Sequence, residues 1–340
     1  MKTDGAIVCF GEPLVRLTAP SGELLLQSPR LEVCFGGAEA NVAVSLARLG
    51  RRSVMAGVVP NNALGQAAMG ELRRHGVDVG PMRAGPGRMG LYFLTPGAVL
   101  RPSEIVYDRA GSAFALAAPD LFDWTVVLDG ASWLHLSGVT PALGDSPATA
   151  AGRAVEAANA QGVPVSFDGN YRAKLWAAWD GEGPAILRGL LAGAELAFVD
   201  ERDIALVLGQ AFEGEAAAQN RRRAAAAAFD AFPKLKRIAS TFRRQHGVDH
   251  HELSAVMFTR DSEVSTEAFP LAGIVDRIGG GDAFAAGVLY GLTGGMDDRA
   301  ALDFGLAATC LKHGIWGDFN LSSAADVEAL LAGGSLDVRR

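Results

Sequence analysis

The sequence predicts an α/β protein built on a mostly parallel central sheet, with a second, small β-sheet. From residue 133 onward, short apolar runs alternate with helical segments, a rhythm typical of parallel sheets covered by helices on both faces. Short strand-like segments within residues 13–35 and 88–112 break this rhythm and predict a separate small sheet. Three consecutive glycines at 279–281 precede an alanine-rich segment, which predicts a turn entering a helix. We expect residues 1–340 to form a single domain in which the small sheet is a lid.

The N-terminal half is expected to supply the first strands of both sheets. Residues 6–10 are apolar throughout and predict a buried strand. Helices are predicted at 42–49 and 63–75, each ended by a glycine. The other apolar runs predicted as short strands are 13–17, 24–26, 31–35, 53–58, 90–95 and 104–107.

The C-terminal half is expected to complete the central sheet. Its predicted strands are 133–136, 164–167, 196–199, 237–240, 253–258 and the apolar run up to 275. Its predicted helices are 146–160, 184–191, a segment ending at 208, 216–231, 282–292, 297–313 and 324–331. Asp168, Asp200 and Thr241 each follow a predicted strand, and the glycine turn follows the last one. Because ligands collect beyond the carboxyl ends of parallel strands, these positions predict a binding site.

Composition limits the classes of function. Hydrophobic residues make up 49% of the chain, which is typical of a globular protein, and the formal net charge of -7 argues against nucleic acid or a membrane surface as the main partner. Residues 221–223 are all arginine, and we interpret them as a solvated helix face rather than a polyanion site. The N-terminus lacks a signal-peptide pattern, and no apolar run of about 18 residues predicts a transmembrane helix. Three widely spaced cysteines, Cys9, Cys34 and Cys310, indicate reduced thiols and a cytoplasmic protein.

The glycine turn and Asp282 form the most chemically informative stretch. Helix N-termini present unpaired N–H groups, and without Cβ atoms at Gly279, Gly280 and Gly281 an anion can approach the backbone closely. A carboxylate there would repel a resting phosphate, but a carboxylate that accepts a proton from a hydroxyl suits phosphoryl transfer. We therefore expect Asp282 to be a general base. The alternative is a glycine turn capped by an aspartate.

Two polar clusters beside predicted elements each have two interpretations. Gly37 and Asn41 lie at a helix start, where the backbone could admit a polyhydroxylated ligand that Asn41 binds; the alternative is an ordinary turn. Asp168 and Arg172 follow a predicted strand, where a guanidinium can hold a carboxylate or phosphate through its planar fork. The alternative for this second cluster is a surface loop.

Three further groups also have plain structural explanations. Tyr107 and Arg109 share one face of a predicted strand and could clamp a substrate, or could lie on a solvated edge strand. The histidines within 246–251 could hold a metal, but the segment is polar and lacks a metal-binding helix motif. Lys312 and His313 end a helix, where basic side chains favour the negative end of the helix dipole.

Taken together, the glycine motifs resemble those of the ribokinase/phosphofructokinase-B (PfkB) family of small-molecule kinases. Residues 276–282 look like the C-terminal motif of that family, and residues 36–50 look like its N-terminal motif. The resemblance covers essentially the whole chain and implies a ribokinase-like three-layer α/β/α sandwich with a small β-sheet lid. It also implies that Asp282 is the base, that ATP and Mg²⁺ are required, and that the anion hole is the backbone of Gly279, Gly280 and Gly281.

Within the family, the chain looks most like 2-keto-3-deoxygluconate kinases. The segments that support this likeness are 11–14, 36–39, 134–143, 168–172, 175–176 and 317–318. The resemblance implies that the sugar acid contacts Gly37, Tyr92, Tyr107, Arg109, Arg172 and Asp318. Asn41 at a helix start and Asp168 at a strand end are also expected to bind the substrate. A cationic site suits a carboxylated substrate better than a neutral sugar. We expect Arg172 to bind the carboxylate, with Arg109 as the second candidate.

Two segments depart from the family pattern. Residues 200–203 read Asp-Glu-Arg-Asp where the family often has Asn-x-x-Glu, and residues 241–247 lack the usual glycine at position 243. The residues assigned to the nucleotide are Asp200, Asp203, Thr241, Arg243, Gly279 and Gly281, and Asp203 is also assigned to Mg²⁺. Residues 277–278 replace the frequent small or hydroxyl side chains, so we predict no monovalent-cation site.

The expected function is ATP-dependent phosphorylation of the terminal hydroxyl of 2-keto-3-deoxygluconate. Alternatives in the same class are kinases of fructose, 2-keto-3-deoxygalactonate or 5-dehydro-2-deoxygluconate. A non-catalytic sugar or nucleotide sensor is the alternative from another class; the altered segments favour it, whereas a sensor has no need of Asp282. Apolar residues in the predicted lid strands, Leu24, Leu26 and Phe93, favour a dimer or larger homo-oligomer.

Overall fold

A computed structural model describes residues 5–333 and contains one large and two small β-sheets. The strands are β1 Ala6–Phe10, β2 Leu14–Thr18, β3 Glu32–Gly36, β4 Ser53–Ala56, β5 Val58–Pro60, β6 Arg83–Gly85, β7 Gly90–Thr95, β8 Glu104–Asp108, β9 Ala131–Ser137, β10 Val165–Asp168, β11 Leu196–Phe198, β12 Arg237–Gln245, β13 His250–Phe258, β14 Glu263–Ser265 and β15 Phe269–Ala272. The large sheet has the order β14-β13-β12-β11-β10-β9-β1-β4, with β15 also paired to β13. Within this order, strands β12, β11, β10, β9, β1 and β4 run parallel to one another. Strands β13, β14 and β15 form an antiparallel edge.

Helices cover both faces of the large sheet. They are α1 Ala38–Arg48, α2 Ala63–Arg74, α3 Trp124–Val127, α4 Asp145–Ala160, α5 Ala173–Trp176, α6 Gly183–Ala192, α7 Glu201–Leu208, α8 Ala217–Ala231, α9 Gly280–Thr293, α10 Asp298–Lys312 and α11 Ala324–Leu331. On β1, Val8 and Phe10 pack in a core with α4, α6, α7 and α8, whereas Ile7 and Cys9 pack in a second core with α1, α2, α9 and α10. The predicted three-layer α/β/α sandwich is therefore confirmed. Within residues 5–333, no helix is both long and apolar enough to cross a bilayer.

The four-stranded sheet corresponds to the two segments predicted to lie outside the βα rhythm. Its order is β3-β2-β7-β8, in which β2 and β7 are parallel and the outer pairs are antiparallel. A small third sheet pairs β5 with β6 in parallel. Arg16 on β2 and Tyr92 on β7 are buried and contact Asp318 in the loop after α10, and Arg16 also contacts Asp276 in the segment after β15. The four-stranded sheet, hereafter the small sheet, thus forms one wall of the candidate site.

Several local predictions were wrong. Residues 24–26 form a turn instead of a strand, and the lead-in to the glycine turn is also not a strand, because β15 ends at Ala272. In that lead-in, the Asp276 carboxylate accepts hydrogen bonds from the N–H groups of Ile278 at 3.0 Å and Gly317 at 3.1 Å. The N–H of Ile274 donates to the carbonyl of Asp249, and those of Val275 and Asp276 donate to the carbonyl of His313, so the segment is satisfied without a strand ladder.

The position of Thr241 also needs correction. The predicted strand ends at residue 240, but β12 continues to Gln245 because it pairs with β13 over its whole length. Thr241 therefore lies inside a strand, opposite Ala255, instead of beyond its carboxyl end. The same pairing places His250 and His251 at the start of β13, where a polar loop was expected.

Candidate active site between the central and small sheets

A cavity of about 590 Å³ lies between the small sheet and the carboxyl-end loops of the large sheet. It gathers residues from opposite ends of the chain, including every residue that the sequence assigned to the sugar. The predicted site residues that line it are Gly37, Asn41, Tyr92, Tyr107, Arg109, Asp168, Arg172, Arg243, Gly279, Gly280, Gly281, Asp282 and Asp318. The fold therefore brings the two glycine motifs and the small sheet to one place.

A second cavity, of about 560 Å³, meets the first one at the glycine turn. Its lining includes Asp200, Thr241 and Arg243, three of the residues assigned to the nucleotide. The residues that line both cavities are Arg243, Arg277, Gly280 and Gly281. The glycine turn and two arginines therefore border both spaces, as a site for group transfer between two ligands requires.

Each glycine of the turn meets a different environment. Gly279 has a φ of 80°, and a Cβ there would overlap the carbonyl oxygen of Asp318. A Cβ on Gly280 would lie 2.9 Å from Cε1 of His313, whereas a Cβ on Gly281 would meet nothing within 4 Å. In the described part of the chain, the N–H groups of Gly281 and Asp282 have no hydrogen-bond acceptor. The first turn of α9 therefore presents two free N–H donors beside the cavity.

Asp282 lies in this first turn and has an unusual protonation equilibrium. Burial raises the pKa of Asp282 to about 7, and the charges of Asp318 and Glu39 act in the same direction. Against this, Nδ2 of Asn41 donates a hydrogen bond to Oδ2 of Asp282 at 2.6 Å, which favours the ionised carboxylate. A carboxylate with such a pKa can exchange a proton with a substrate near neutral pH.

Two more carboxylates, Asp168 and Asp203, belong to the same electrostatic environment. Burial raises the pKa of Asp168 well above its usual value, and the charges of Asp282 and Asp203 raise it further. Burial, followed by the charge of Asp200, raises the pKa of Asp203 to about 6. Asp200 and Asp203 also form a reciprocal capping box at the start of α7. Mutual repulsion and burial therefore favour the protonated form of these carboxyls, and Asp203 itself lines neither cavity.

Asp318, at the floor of the cavity, is fixed by a buried network. The Tyr92 hydroxyl lies 2.9 Å from both of its carboxylate oxygens, and Nη1 of Arg16 lies 3.1 Å from Oδ1. The same Arg16 nitrogen pairs with Asp276 at 2.7 Å, and the Arg16 side chain is only 2% exposed. Two predicted sugar contacts, Tyr92 and Asp318, are therefore held rigidly against the loop that leads into the glycine turn.

The two arginines expected to recognise a carboxylate differ in their surroundings. Nε of Arg109 pairs with the buried Glu12 at 2.6 Å, which connects the end of the small sheet to the loop after β1. Arg172 is exposed, precedes α5, and has no ion-pair partner among residues 5–333. Beside it, Tyr171 stacks on Trp176 with an interplanar angle of 15°. Arg172 is therefore available to an external anion, whereas Arg109 already shares its charge with Glu12.

Comparison with known proteins identifies the family. The model of the pfkB family of carbohydrate kinases matches residues 4–314. The chain belongs to this family. It is therefore an ATP-dependent sugar kinase, as the resemblance of its glycine motifs implied.

Several similar proteins are named as kinases of 2-dehydro-3-deoxy-sugars. The chain is 31% identical to a 2-dehydro-3-deoxygalactonokinase of Haloferax volcanii over 98% of this chain and 99% of that one. It is 30% identical to a 2-dehydro-3-deoxygluconokinase of Thermoproteus tenax over 96% and 94% of the two chains. The crystal structure of a 2-dehydro-3-deoxygluconokinase from Thermotoga maritima matches with a TM-score of 0.90 and 38% identity, covering 97% of this chain and 100% of that one.

Sequence reasoning missed several residues that hold the candidate site together. Glu39 is buried in α1 and accepts hydrogen bonds from Oγ of Ser137 at 2.7 Å and Oγ1 of Thr140 at 2.8 Å. Glu12 and Arg16 were also not predicted as site residues. Glu12 lies between β1 and β2, and Arg16 lies on β2, where the chain first enters the small sheet. The available signal was a single arginine with apolar neighbours on both sides in β2, Val15 and Leu17. That pattern can indicate a buried ion pair, but the sequence does not reveal its partner.

Proposed function

We propose that this kinase transfers the γ-phosphate of ATP to the terminal hydroxyl of 2-keto-3-deoxygluconate, giving 2-keto-3-deoxy-6-phosphogluconate. The main support is one cavity that combines Asp282, the free N–H groups after Gly280, and the unpaired guanidinium of Arg172. A neutral sugar has no group that needs Arg172, whereas a sugar acid offers a carboxylate to it. The names of the relatives, which act on 2-dehydro-3-deoxy-sugar acids, agree with this choice.

In the proposed reaction, Asp282 accepts the proton of the terminal hydroxyl. The hydroxyl oxygen then forms a bond to the γ-phosphorus, the bond from that phosphorus to the β,γ-bridging oxygen breaks, and ADP leaves. The N–H groups of Gly281 and Asp282 receive the charge on the transferring phosphoryl group, and one such donor contributes about 3 kcal/mol in other enzymes. Asn41 orients the carboxylate of Asp282 through its hydrogen bond.

The second cavity suits the phosphates of the nucleotide. Arg243 and Arg277 line it, and the positive end of α9 adds to their field. Arg221, interpreted from the sequence as part of a solvated helix face, also lines this cavity, whereas Arg202 is paired with Asp200. Burial and the charge of Arg277 lower the pKa of Arg243, so these two cations repel each other unless an anion lies nearby. An ATP triphosphate at this place would relieve the repulsion.

The protein offers few carboxylate ligands for Mg²⁺ near the proposed phosphate site. Among residues 5–333, no cluster of three or more potential metal-ligating side chains is present. Mg²⁺ commonly uses one or two carboxylates, with phosphates and water completing its coordination. We propose that Asp203 supplies such a carboxylate, directly or through water. When bound, the ion neutralises charge on the phosphates.

One same-class alternative keeps independent support. The relative from Haloferax volcanii is named a 2-dehydro-3-deoxygalactonokinase. The 2-keto-3-deoxy derivatives of galactonate and gluconate differ only in the configuration of one hydroxyl. No contact described above discriminates this configuration. We therefore carry 2-keto-3-deoxygalactonate as the second candidate substrate. Fructose and 5-dehydro-2-deoxygluconate have less support, and family membership argues against a non-catalytic sensor.

The test is ADP release from Mg-ATP with each of these sugars, together with ribose and adenosine. We expect turnover with one or both 2-keto-3-deoxy-sugar acids and little with neutral sugars. Arg172→Met should raise KM for the sugar acid by about tenfold or more and leave KM for ATP unchanged. Lys174→Met is the matched control, because Lys174 is exposed on α5 and lines neither cavity. Preference for a neutral sugar, or equal effects of the two variants, would contradict the proposal.

We also propose a cytoplasmic homo-oligomer. The three cysteines are free, which suits a reducing compartment. Leu24 and Leu26 are 52% and 69% exposed, Phe93 is half-buried, and Val33 on β3 is 57% exposed. Exposed apolar side chains of this kind favour association between subunits. Light scattering on the purified protein measures the mass directly, and a monomer at micromolar concentration would overturn the proposal.

A further inference from the structure

Lys312 is a completely buried lysine that the reaction described above does not use. The sequence suggested an ordinary basic side chain at a helix end, but the side chain points inward and is 0% exposed. Its Nζ donates hydrogen bonds to the carbonyl oxygens of Ile315 at 2.9 Å and Asp276 at 3.3 Å. Among residues 5–333, it forms no direct ion pair with a carboxylate. The ammonium is therefore held by main-chain oxygens alone.

The surroundings of Lys312 keep its charge tolerable. A buried ammonium is costly unless hydrogen bonds and opposite charges compensate it. Asp276 and Asp318 lie near enough to raise the pKa of Lys312, against a larger lowering by burial. Arg16 pairs with both carboxylates, so two cations and two anions form a neutral buried group. This arrangement keeps the ammonium of Lys312 beside balancing carboxylates and out of contact with solvent.

The position of the side chain relates it to the glycine turn. Cε of Lys312 would lie 3.4 Å from a Cβ placed on Gly279, so the stem packs directly against that glycine. One carbonyl partner, Asp276, precedes the turn by three residues, and the other, Ile315, precedes Asp318. The carbonyl of Asp318 in turn packs against Gly279. Lys312 therefore bridges the two loop segments that support the turn, 276–279 and 315–318.

We infer that Lys312 is a positioning residue for phosphoryl transfer, whose ammonium holds the carbonyls of Asp276 and Ile315 together and thereby fixes the glycine turn. This inference rests on the proposed role of that turn as the anion hole. Without the ammonium, the carbonyl oxygens of Asp276 and Ile315 would lose the donor that they share. The segment 276–279 would then lose its connection to the segment 315–318. The free N–H groups of Gly281 and Asp282 would then no longer keep the spacing that the phosphoryl group needs.

The test separates this role from simple core packing. Lys312→Met keeps the length of the side chain and removes the charge, whereas Lys312→Ala leaves room for a small external cation. We expect Lys312→Met to lower kcat at least tenfold while KM for the sugar changes less than threefold. We expect ammonium or methylammonium chloride to restore the activity of Lys312→Ala at least fivefold over sodium chloride of equal ionic strength. The wild-type rate should be the same in these salts.

Folding of each variant is checked by its urea unfolding transition at the assay temperature. A cooperative transition that begins only after urea is added shows that the variant is folded in the assay. Full kcat in folded Lys312→Met would overturn the inference, and so would the absence of ammonium rescue in folded Lys312→Ala. If the methionine variant does not fold, the rescue experiment on the alanine variant decides alone. A wild-type protein that turns over none of the sugars would refute the proposed function instead, so the two failures are distinguishable.

Discussion

Asn41, in the first turn of α1, donates a hydrogen bond to Asp282, in the first turn of α9, over 2.6 Å. The bond joins the two glycine motifs of the family at the proposed base. Burial raises the pKa of Asp282 to about 7, and this bond opposes the rise. The carboxylate is therefore balanced between its two forms near neutral pH.

The first prediction concerns the pH dependence of the wild-type enzyme. Asp282 must be ionised to accept a proton, and its pKa lies above that of an ordinary aspartate, so activity is present above about pH 7 and lost as the pH falls. We expect kcat/KM for the sugar acid to fall about tenfold per pH unit below that value. Initial rates between pH 5 and 9 measure this limb. A flat profile down to pH 5 would refute the assignment of Asp282 as the base.

The second prediction isolates the contribution of Asn41. Asn41→Leu removes the hydrogen bond that favours the ionised carboxylate and keeps a similar volume. The pKa of Asp282 should rise, so the acidic limb of kcat/KM should move to higher pH by about one pH unit. The measurement is the same profile recorded for both proteins. An unmoved limb with a uniformly lower rate would mean that Asn41 acts on the sugar and not on the base.

The third prediction uses two glycines with opposite surroundings. Gly279→Ala should destabilise the protein by about 2 kcal/mol or more, because its φ is 80° and the Cβ would overlap the Asp318 carbonyl. Gly281→Ala should leave stability unchanged or slightly higher, since the position is helical and its Cβ meets nothing within 4 Å. However, that methyl group enters the space beside the free N–H groups, so kcat should fall about 100-fold. Urea unfolding and ADP release measure the two effects. Wild-type kcat in Gly281→Ala would contradict the anion-hole assignment.

The fourth prediction concerns the arginine that replaces a family glycine. Arg243 lines both cavities, whereas the next residue, Arg244, lines neither and lies 3.8 Å from Glu252. Successive residues of a strand point to opposite faces, which makes Arg244→Met a matched control. We expect Arg243→Met to lower kcat/KM for ATP about tenfold or more and Arg244→Met to change it less than twofold. Equal effects would mean that general surface charge, and not a phosphate contact, is responsible.

The sequence was sufficient to predict the architecture because its local patterns of apolar runs and helices match the layers of the fold. The alternation of apolar runs with helices predicted the sandwich, and the segments that broke this rhythm became β2, β3, β7 and β8. Both glycine motifs line one cavity in the fold. Residues such as Gly37 and Asp318 are far apart in sequence, yet their motifs are specific enough to place them together.

The errors arose where a distant partner determined the local structure. Strand β12 extends past residue 240 because β13 pairs with it, and apolar side chains alone do not reveal that partner. The run 274–278 looks like a strand, but its N–H groups bond to the carbonyls of Asp249 and His313 and to the carboxylate of Asp276 instead of to a neighbouring strand. Burial of Lys312 likewise depends on carbonyls of two loops. In each case the deciding interaction joins segments whose proximity exists only in the folded chain.

The most direct test of the central claim is to compare turnover and sugar binding in Asp282→Asn. The substitution keeps the shape of the side chain and removes the base, so sugar and ATP should still bind with dissociation constants within about threefold of the wild type. Because phosphoryl transfer requires the carboxylate, ADP release with the preferred 2-keto-3-deoxy-sugar acid should fall about 1,000-fold or more. Calorimetric titration and single-turnover assays on the same protein give both quantities. Turnover near the wild-type rate would show that Asp282 is not the base and that the proposed mechanism is wrong.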